Sequence, residues 1–68
     1  MITSKRKVQI AMARACMGVQ DILTATGMPM PTIYNVIGGK RSMRPEAIGQ
    51  VAKALQVDAL EILEDSEE

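Results

Sequence analysis

The chain has 68 residues, with eight basic and eight acidic side chains, one cysteine, one tyrosine and no histidine, tryptophan or phenylalanine. A lone cysteine without histidine offers neither an internal disulfide nor a zinc site, so we expect no cofactor. The sequence has no apolar run near the roughly 20 residues that span a bilayer, which predicts a cytoplasmic protein that has no membrane contact. It also has no nucleophile elbow or phosphate loop, which predicts that the protein is not an enzyme.

Charge is divided unevenly along the chain. Residues 1–57 hold all eight basic residues against Asp21 and Glu46 alone, a net charge of +6, whereas the last eleven residues hold six acidic residues and no basic one. A basic body attracts polyanions such as nucleic acids. We expect residues 1–64 to form one domain and residues 65–68 to form a disordered, acidic tail. At this length a single core is only marginally stabilising, which favours a homodimer.

The first predicted helix runs from residue 5 to about residue 17. Thr3 or Ser4 is suited to cap its start, and Gly18 is suited to the left-handed position that ends it. Three cations occupy its first turn, where the helix dipole disfavours positive charge. A phosphate bound nearby would explain their placement, and solvated N-terminal charge is the alternative. These cations are Lys5, Arg6 and Lys7.

Two further helices are predicted on either side of Gly27. Apolar residues recur at three- and four-residue intervals over residues 19–23 and 33–37, and the missing Cβ of Gly27 permits a sharp turn between them. The later helix begins at Pro29 or Met30, because proline is tolerated in a first helical turn, and it ends at the Gly-Gly pair that follows. Two short helices joined by a glycine turn are typical of a helix-turn-helix.

The rest of the chain predicts two more helices. Pro45 is suited to the first turn of a fourth helix, whose apolar stripe begins at Ile48 and ends at Leu55. Asp58 and Glu61 have the spacing of a capping box, which opens a short fifth helix through about residue 64. Five short helices and no strand pattern predict an all-α fold.

Over roughly residues 5–64 these elements resemble the helix-turn-helix domain of the Cro and lambda-repressor (XRE) type. The resemblance is carried by the turn DILTATGM, the segment TIYNVIGGKR and the ending VAKALQVDALEIL. It implies a lambda-repressor-like domain that serves as a prokaryotic or phage-encoded, sequence-specific transcriptional regulator. Val19 stands where the family often has glutamine, and Pro29 stands where it has a polar cap. Both departures remove hydrogen bonds to phosphate.

In this family the third helix reads base edges in the major groove, a role that carries over to Met30, Pro31, Tyr34 and Asn35. Asn35 can pair with adenine while the apolar side chains contact thymine methyl groups, so an A·T-containing half-site is expected. Further residues would contact DNA phosphates, and two of them, Lys40 and Arg41, match family positions after the recognition helix. The predicted phosphate contacts are Gln20, Thr32, Lys40, Arg41, Arg44, Lys5, Arg6 and Lys7.

Leu60 lies where the family usually has a polar residue. We expect it to form, together with Leu63, a two-fold interface that sets two half-sites about one DNA turn apart, ~34 Å. Double-stranded DNA and a second copy of the chain are therefore the predicted partners.

Other interpretations stay open. The apolar start of the third helix, Met30 and Pro31, also suits docking on another regulatory protein, which the chain would modulate without binding DNA. For Tyr34 the alternative is a ring partly packed over the fourth helix. An antitoxin-like subunit would instead use the acidic tail to contact a basic partner.

Overall fold

The computed structural model describes residues 1–64. Within that range the only strand-like pairing is one antiparallel bridge between Thr3 and Leu63, so the predicted all-α class is confirmed. The described chain forms four α-helices and one 3-10 turn, namely α1 (Lys5–Ala15), α2 (Val19–Thr26), α3 (Met30–Gly38), α4 (Pro45–Ala54) and the 3-10 turn Ala59–Glu61.

Each helix turns one apolar face inward, as the three- and four-residue spacing predicts. Helices α2, α3 and α4 pack against one another, and α1 packs against α3 and the 3-10 turn. The one aromatic residue, Tyr34, is exposed, so the core depends on aliphatic side chains that each bury less area than a ring. The buried residues are Val8, Ala11, Ile22, Met28, Ile33, Val36, Ile48, Val51, Ala52, Leu55 and Ile62.

The first helix is shorter than the sequence predicts. It ends at Ala15, and the left-handed position that follows is taken by Cys16 at φ +56°. Gly18, predicted for that position, is extended instead, and its N–H donates to the Asp21 carboxylate at 2.8 Å at the start of α2. The end of α1 at Ala15 has a tertiary cause, because it allows the Met17 side chain to pack against the core.

The connection between α2 and α3 follows the prediction. Gly27 has φ +72°, and its N–H donates to the Leu23 carbonyl at 2.8 Å, which ends α2. The Thr26 hydroxyl donates to the Ile22 carbonyl at 2.8 Å and accepts the Met28 N–H at 3.2 Å. These bonds fix a short turn through a left-handed glycine, after which α3 begins within its predicted limits.

The fifth predicted helix is a single 3-10 turn rather than a helix through residue 64. The capping pair forms as expected, with the Asp58 N–H donating to the Glu61 carboxylate at 3.4 Å. Immediately afterwards Ile62 is buried, and its carbonyl accepts the Ser4 N–H at 2.8 Å. The next residue, Leu63, forms the antiparallel bridge with Thr3, and the helical turn does not continue beyond Ile62.

Residues 1–4, which we call the N-terminal segment, run in extended form between two other parts of the chain. On one side the Met43 N–H donates to the Met1 carbonyl at 2.6 Å, and on the other the Glu64 N–H donates to the Ile2 carbonyl at 3.0 Å. The segment therefore joins the loop after α3 to the last described residues.

Thr3 is the one fully buried polar residue of the described chain, with 1% of its surface exposed. Its hydroxyl donates to the Val36 carbonyl near the end of α3. Ser4, the next residue, caps α1 by accepting the Lys7 N–H at 3.3 Å. Of the two caps that the sequence offers for α1, Ser4 fills the role, and Thr3 belongs to the packing between the N-terminal segment and α3.

Candidate nucleic-acid interface

The outer side of α3 carries the four predicted base readers. Pro31 is exposed, and Tyr34 is 57% exposed. More than half of the Tyr34 surface is open to solvent and the rest is covered, so the alternative of a ring partly packed over α4 stays open. Met30 and Asn35 are half-buried, so each presents part of its side chain. The face is mainly apolar, and its hydrogen-bonding groups are the Asn35 amide and the Tyr34 hydroxyl.

An open cleft of about 430 Å³ lies beside this face. It brings together four residues that the sequence analysis assigned to DNA, one as a base reader and three as phosphate contacts. These residues come from α3 and from the loop that leads to α4, so the fold assembles them. The four are Thr32, Asn35, Arg41 and Arg44, and the lining is completed by Ser42, Met43 and Ala47.

The basic loop, residues 40–44, carries three exposed cations within five positions. Positive charges this close raise the local potential and attract a polyanion, although salt screens the effect beyond about 8–10 Å. Hydrogen bonds from the N-terminal segment fix the middle of the loop, with the Met1 amino group donating to the Ser42 hydroxyl at 3.0 Å and to the Met43 carbonyl at 3.1 Å. The three cations are Lys40, Arg41 and Arg44.

The first turn of α1 lies against the end of α3. A Cβ built on Gly39 would come within 3.0 Å of the Lys5 backbone nitrogen, so the start of α1 adjoins the residue before the basic loop. Lys5 and Arg6 are exposed, whereas Lys7 is half-buried and its Nζ donates to the Leu63 carbonyl at 3.3 Å. A bond within the chain therefore accounts for Lys7 without a phosphate, and Lys5 and Arg6 are left as exposed cations, with Lys5 beside the residue that precedes the basic loop.

The start of α2 is poorly suited to bind phosphate. The Asp21 carboxylate accepts the Gly18 N–H and places a negative charge at the positive end of the helix dipole. An anion that approached the same amides would be repelled by that carboxylate. Gln20 is exposed beside it and offers only a neutral donor. The basic loop therefore offers a phosphate a more favourable site than the start of α2 does.

The two leucines predicted for a dimer interface have different surroundings. Leu60 is 74% exposed, which makes it the most exposed of the large apolar side chains. Leu63 is half-buried, packs against the core and pairs with Thr3 through its backbone. Only Leu60 is freely available to a second copy. Ile10 on α1, which the sequence analysis did not single out, is also exposed, at 49%.

Several residues of this surface escaped the sequence analysis. Ser42 and Met43 line the cleft between the predicted cations, and a loop rich in basic residues was their only signal. The local pattern offered the buried Thr3 only as a cap for α1, because Val36, the partner of its hydroxyl, is 33 residues away. The predicted acidic tail, residues 65–68, lies outside the described residues.

Comparison of the chain with protein-family models, with curated proteins and with solved structures finds no match. Over residues 1–64 there is no group of three or more Cys, Asp or Glu side chains that could hold a metal ion. No helix in that range has the length and apolar character needed to cross a membrane. The cleft beside α3 and the basic loop are therefore the basis on which a function is proposed.

Proposed function

We propose that this chain is a sequence-specific DNA-binding transcriptional regulator of the helix-turn-helix class, of the Cro and lambda-repressor type, and that it acts as a homodimer. In this proposal α2 and α3 form the motif around Gly27, and α3 enters the major groove. The supporting observation is the cleft in which Asn35 of α3 lies beside Arg41 and Arg44 of the basic loop. One surface thus combines a base-reading group with phosphate-binding groups.

The exposed side chains of α3 favour particular bases. An asparagine amide can donate to N7 and accept from N6 of adenine at the same time, a pairing worth about 1–3 kcal/mol of discrimination. Apolar side chains such as Pro31 and the Tyr34 ring can contact the thymine methyl group. Asn35 is therefore the principal hydrogen-bonding reader, and we propose that each half-site contains an A·T pair opposite it.

The basic loop supplies the part of the affinity that does not depend on sequence. Each lysine or arginine that neutralises a phosphate releases counterions, so the logarithm of the binding constant falls with the logarithm of salt concentration by about 0.9 per contact. Lys40, Arg41 and Arg44 would together contribute about 2.7 to this slope. Lys5 and Arg6 would add to it if the duplex extends to the start of α1.

Titration of the protein against a library of random duplexes, at several salt concentrations, tests the proposal. Arg41→Gln is expected to weaken binding to all duplexes alike and to reduce the salt slope by about 0.9. Asn35→Ala is expected to reduce the preference between duplexes while the salt slope stays unchanged. Lys53→Gln is the control, because Lys53 is an exposed cation that lies outside the cleft. A wild-type protein that prefers no duplex at any salt concentration would refute the proposal.

A second function, docking on another regulatory protein, is favoured by one observation. The outer face of α3 is mainly apolar, with Pro31 exposed and Tyr34 57% exposed, and such a helix face can also fill a groove on a partner. Under this hypothesis the protein alone shifts no duplex. The two functions also differ in their response to variants, because Tyr34→Glu would abolish partner binding while Arg41→Glu would leave it intact. Loss of DNA affinity in both variants would favour the groove-binding function.

A further inference from the structure

We infer that Thr3 is a positioning residue for the proposed DNA-binding surface. By anchoring the N-terminal segment to the end of α3, it holds the basic loop in the place where Arg41 and Arg44 line the cleft. The inference rests on the proposed function and adds a role for residues 1–4, which the sequence pattern assigns only to the capping of α1.

The Thr3 side chain is hydrogen-bonded to the last turn of α3. Val36 lies in the last turn of α3, where backbone carbonyls have no partner within their own helix. The Thr3 hydroxyl donates to that carbonyl in a fully buried position. An unpaired buried carbonyl is unfavourable, so the bond fixes the N-terminal segment against one site at the end of α3.

Gly39 packs closely against the backbone of Thr3 and Lys5. This residue ends α3 with φ +68°, and a Cβ added to it would lie 2.6 Å from the Thr3 carbonyl oxygen and 3.0 Å from the Lys5 nitrogen. Glycine is therefore required both by its backbone conformation and by the backbone packed on it. The residue that leads into the basic loop is thus in direct contact with Thr3.

The N-terminal segment is also hydrogen-bonded to the basic loop itself. Two residues before Thr3, the Met1 carbonyl accepts the Met43 N–H at 2.6 Å. Met43 lies in the middle of the basic loop and is itself half-buried against the core. The loop is therefore held at its start by Gly39 and at its middle by Met1, and Thr3 is the buried link between these contacts.

A pair of substitutions separates this role from a merely structural one. Thr3→Val keeps the shape of the side chain and removes the hydroxyl, whereas Thr3→Ser keeps the hydroxyl. We expect the salt slope of DNA binding to fall by about 0.9 for each loop cation that no longer reaches phosphate in Thr3→Val, and to stay at the wild-type value in Thr3→Ser. If Thr3 mattered for stability alone, the folded fraction of Thr3→Val would bind with the wild-type slope, and this result would overturn the inference.

Amide hydrogen exchange gives a readout that needs no DNA. In the wild type the Met43 amide should be protected about as well as the Glu64 amide, since both donate to the N-terminal segment. In Thr3→Val the Met43 protection should be lost while that of Val51 in the core remains. A Met43 amide that exchanges freely in the folded wild type overturns the inference even if Thr3→Val does not fold. A wild type that binds no duplex refutes the proposed function instead, and the exchange pattern still decides whether Thr3 holds the loop.

Discussion

Replacement of Gly39 by alanine should destabilise the fold far more than a typical surface substitution. An alanine at φ +68° costs about 1 kcal/mol because its Cβ crowds the backbone in the left-handed region. The same Cβ would lie 2.6 Å from the Thr3 carbonyl oxygen, and moving packed backbone to relieve such overlap costs roughly 1–3 kcal/mol more. We therefore expect a total loss of about 2–4 kcal/mol. A domain of this length has a free energy of unfolding of only roughly 3–10 kcal/mol.

Gly27→Ala is the matched control for this prediction. Gly27 has nearly the same backbone conformation, φ +72°, but a Cβ there would meet nothing within 4 Å. Only the conformational cost of about 1 kcal/mol should remain. Urea unfolding followed by far-ultraviolet circular dichroism measures the stability of both variants. If the free energy of unfolding falls by about 1 kcal/mol per molar urea, the expected losses correspond to midpoint shifts of about 1 M for Gly27→Ala and about 2–4 M for Gly39→Ala.

The difference between these two variants isolates the contact with Thr3. Equal shifts would show that the backbone conformation alone determines the cost, and the reasoning about the close approach would be wrong. The difference should also shrink when residues 1–3 are deleted, since the carbonyl of Thr3 that the new Cβ would meet is then absent.

Two further predictions concern the surface. Leu60→Asp should halve the mass determined by sedimentation equilibrium, because a charge in an apolar two-fold interface is unfavourable, and an unchanged mass would rule out an interface at this residue. Asp21→Ala should lower the free energy of unfolding by about 1 kcal/mol, because the Gly18 N–H loses its acceptor and the helix dipole loses its counter-charge. Glu46→Ala is the comparison, because it also removes an acid from the first turn of a helix, α4. It should lower the free energy of unfolding by less in the same urea titration.

Boundaries set by local chemistry could be predicted from the sequence. Pro45 marked the start of α4 and Gly27 the end of α2, because each imposes or permits a backbone conformation whatever surrounds it. The apolar spacing likewise identified the buried faces of α2, α3 and α4. In the cleft, the run of cations after α3 was visible as a pattern, so Arg41 and Arg44 could be assigned before their positions were known.

The features that escaped prediction depend on contacts between distant parts of the chain. Cys16 rather than Gly18 takes the left-handed position because Met17 packs against the core, a tertiary effect that outweighs the preference of glycine. The 3-10 turn stays short because Ile62 bonds to Ser4, 58 positions earlier. Neither contact has a local signature, and the burial of Thr3 follows from the same pairing.

The pairing of the N-terminal segment also sets an order of events during synthesis. Residues 1–4 are translated before the rest of the described chain, yet several of their hydrogen-bond partners lie far along it, at residues 36, 42, 43, 62 and 64. At the usual elongation rate of about 5–20 residues per second, the segment waits roughly 3–12 s for the last of these partners. α1, α2 and α3 are translated during this interval, but the segment is fixed on both sides only after residue 64 has been made. The surface around the basic loop is therefore completed last, although the loop itself lies in the interior of the sequence.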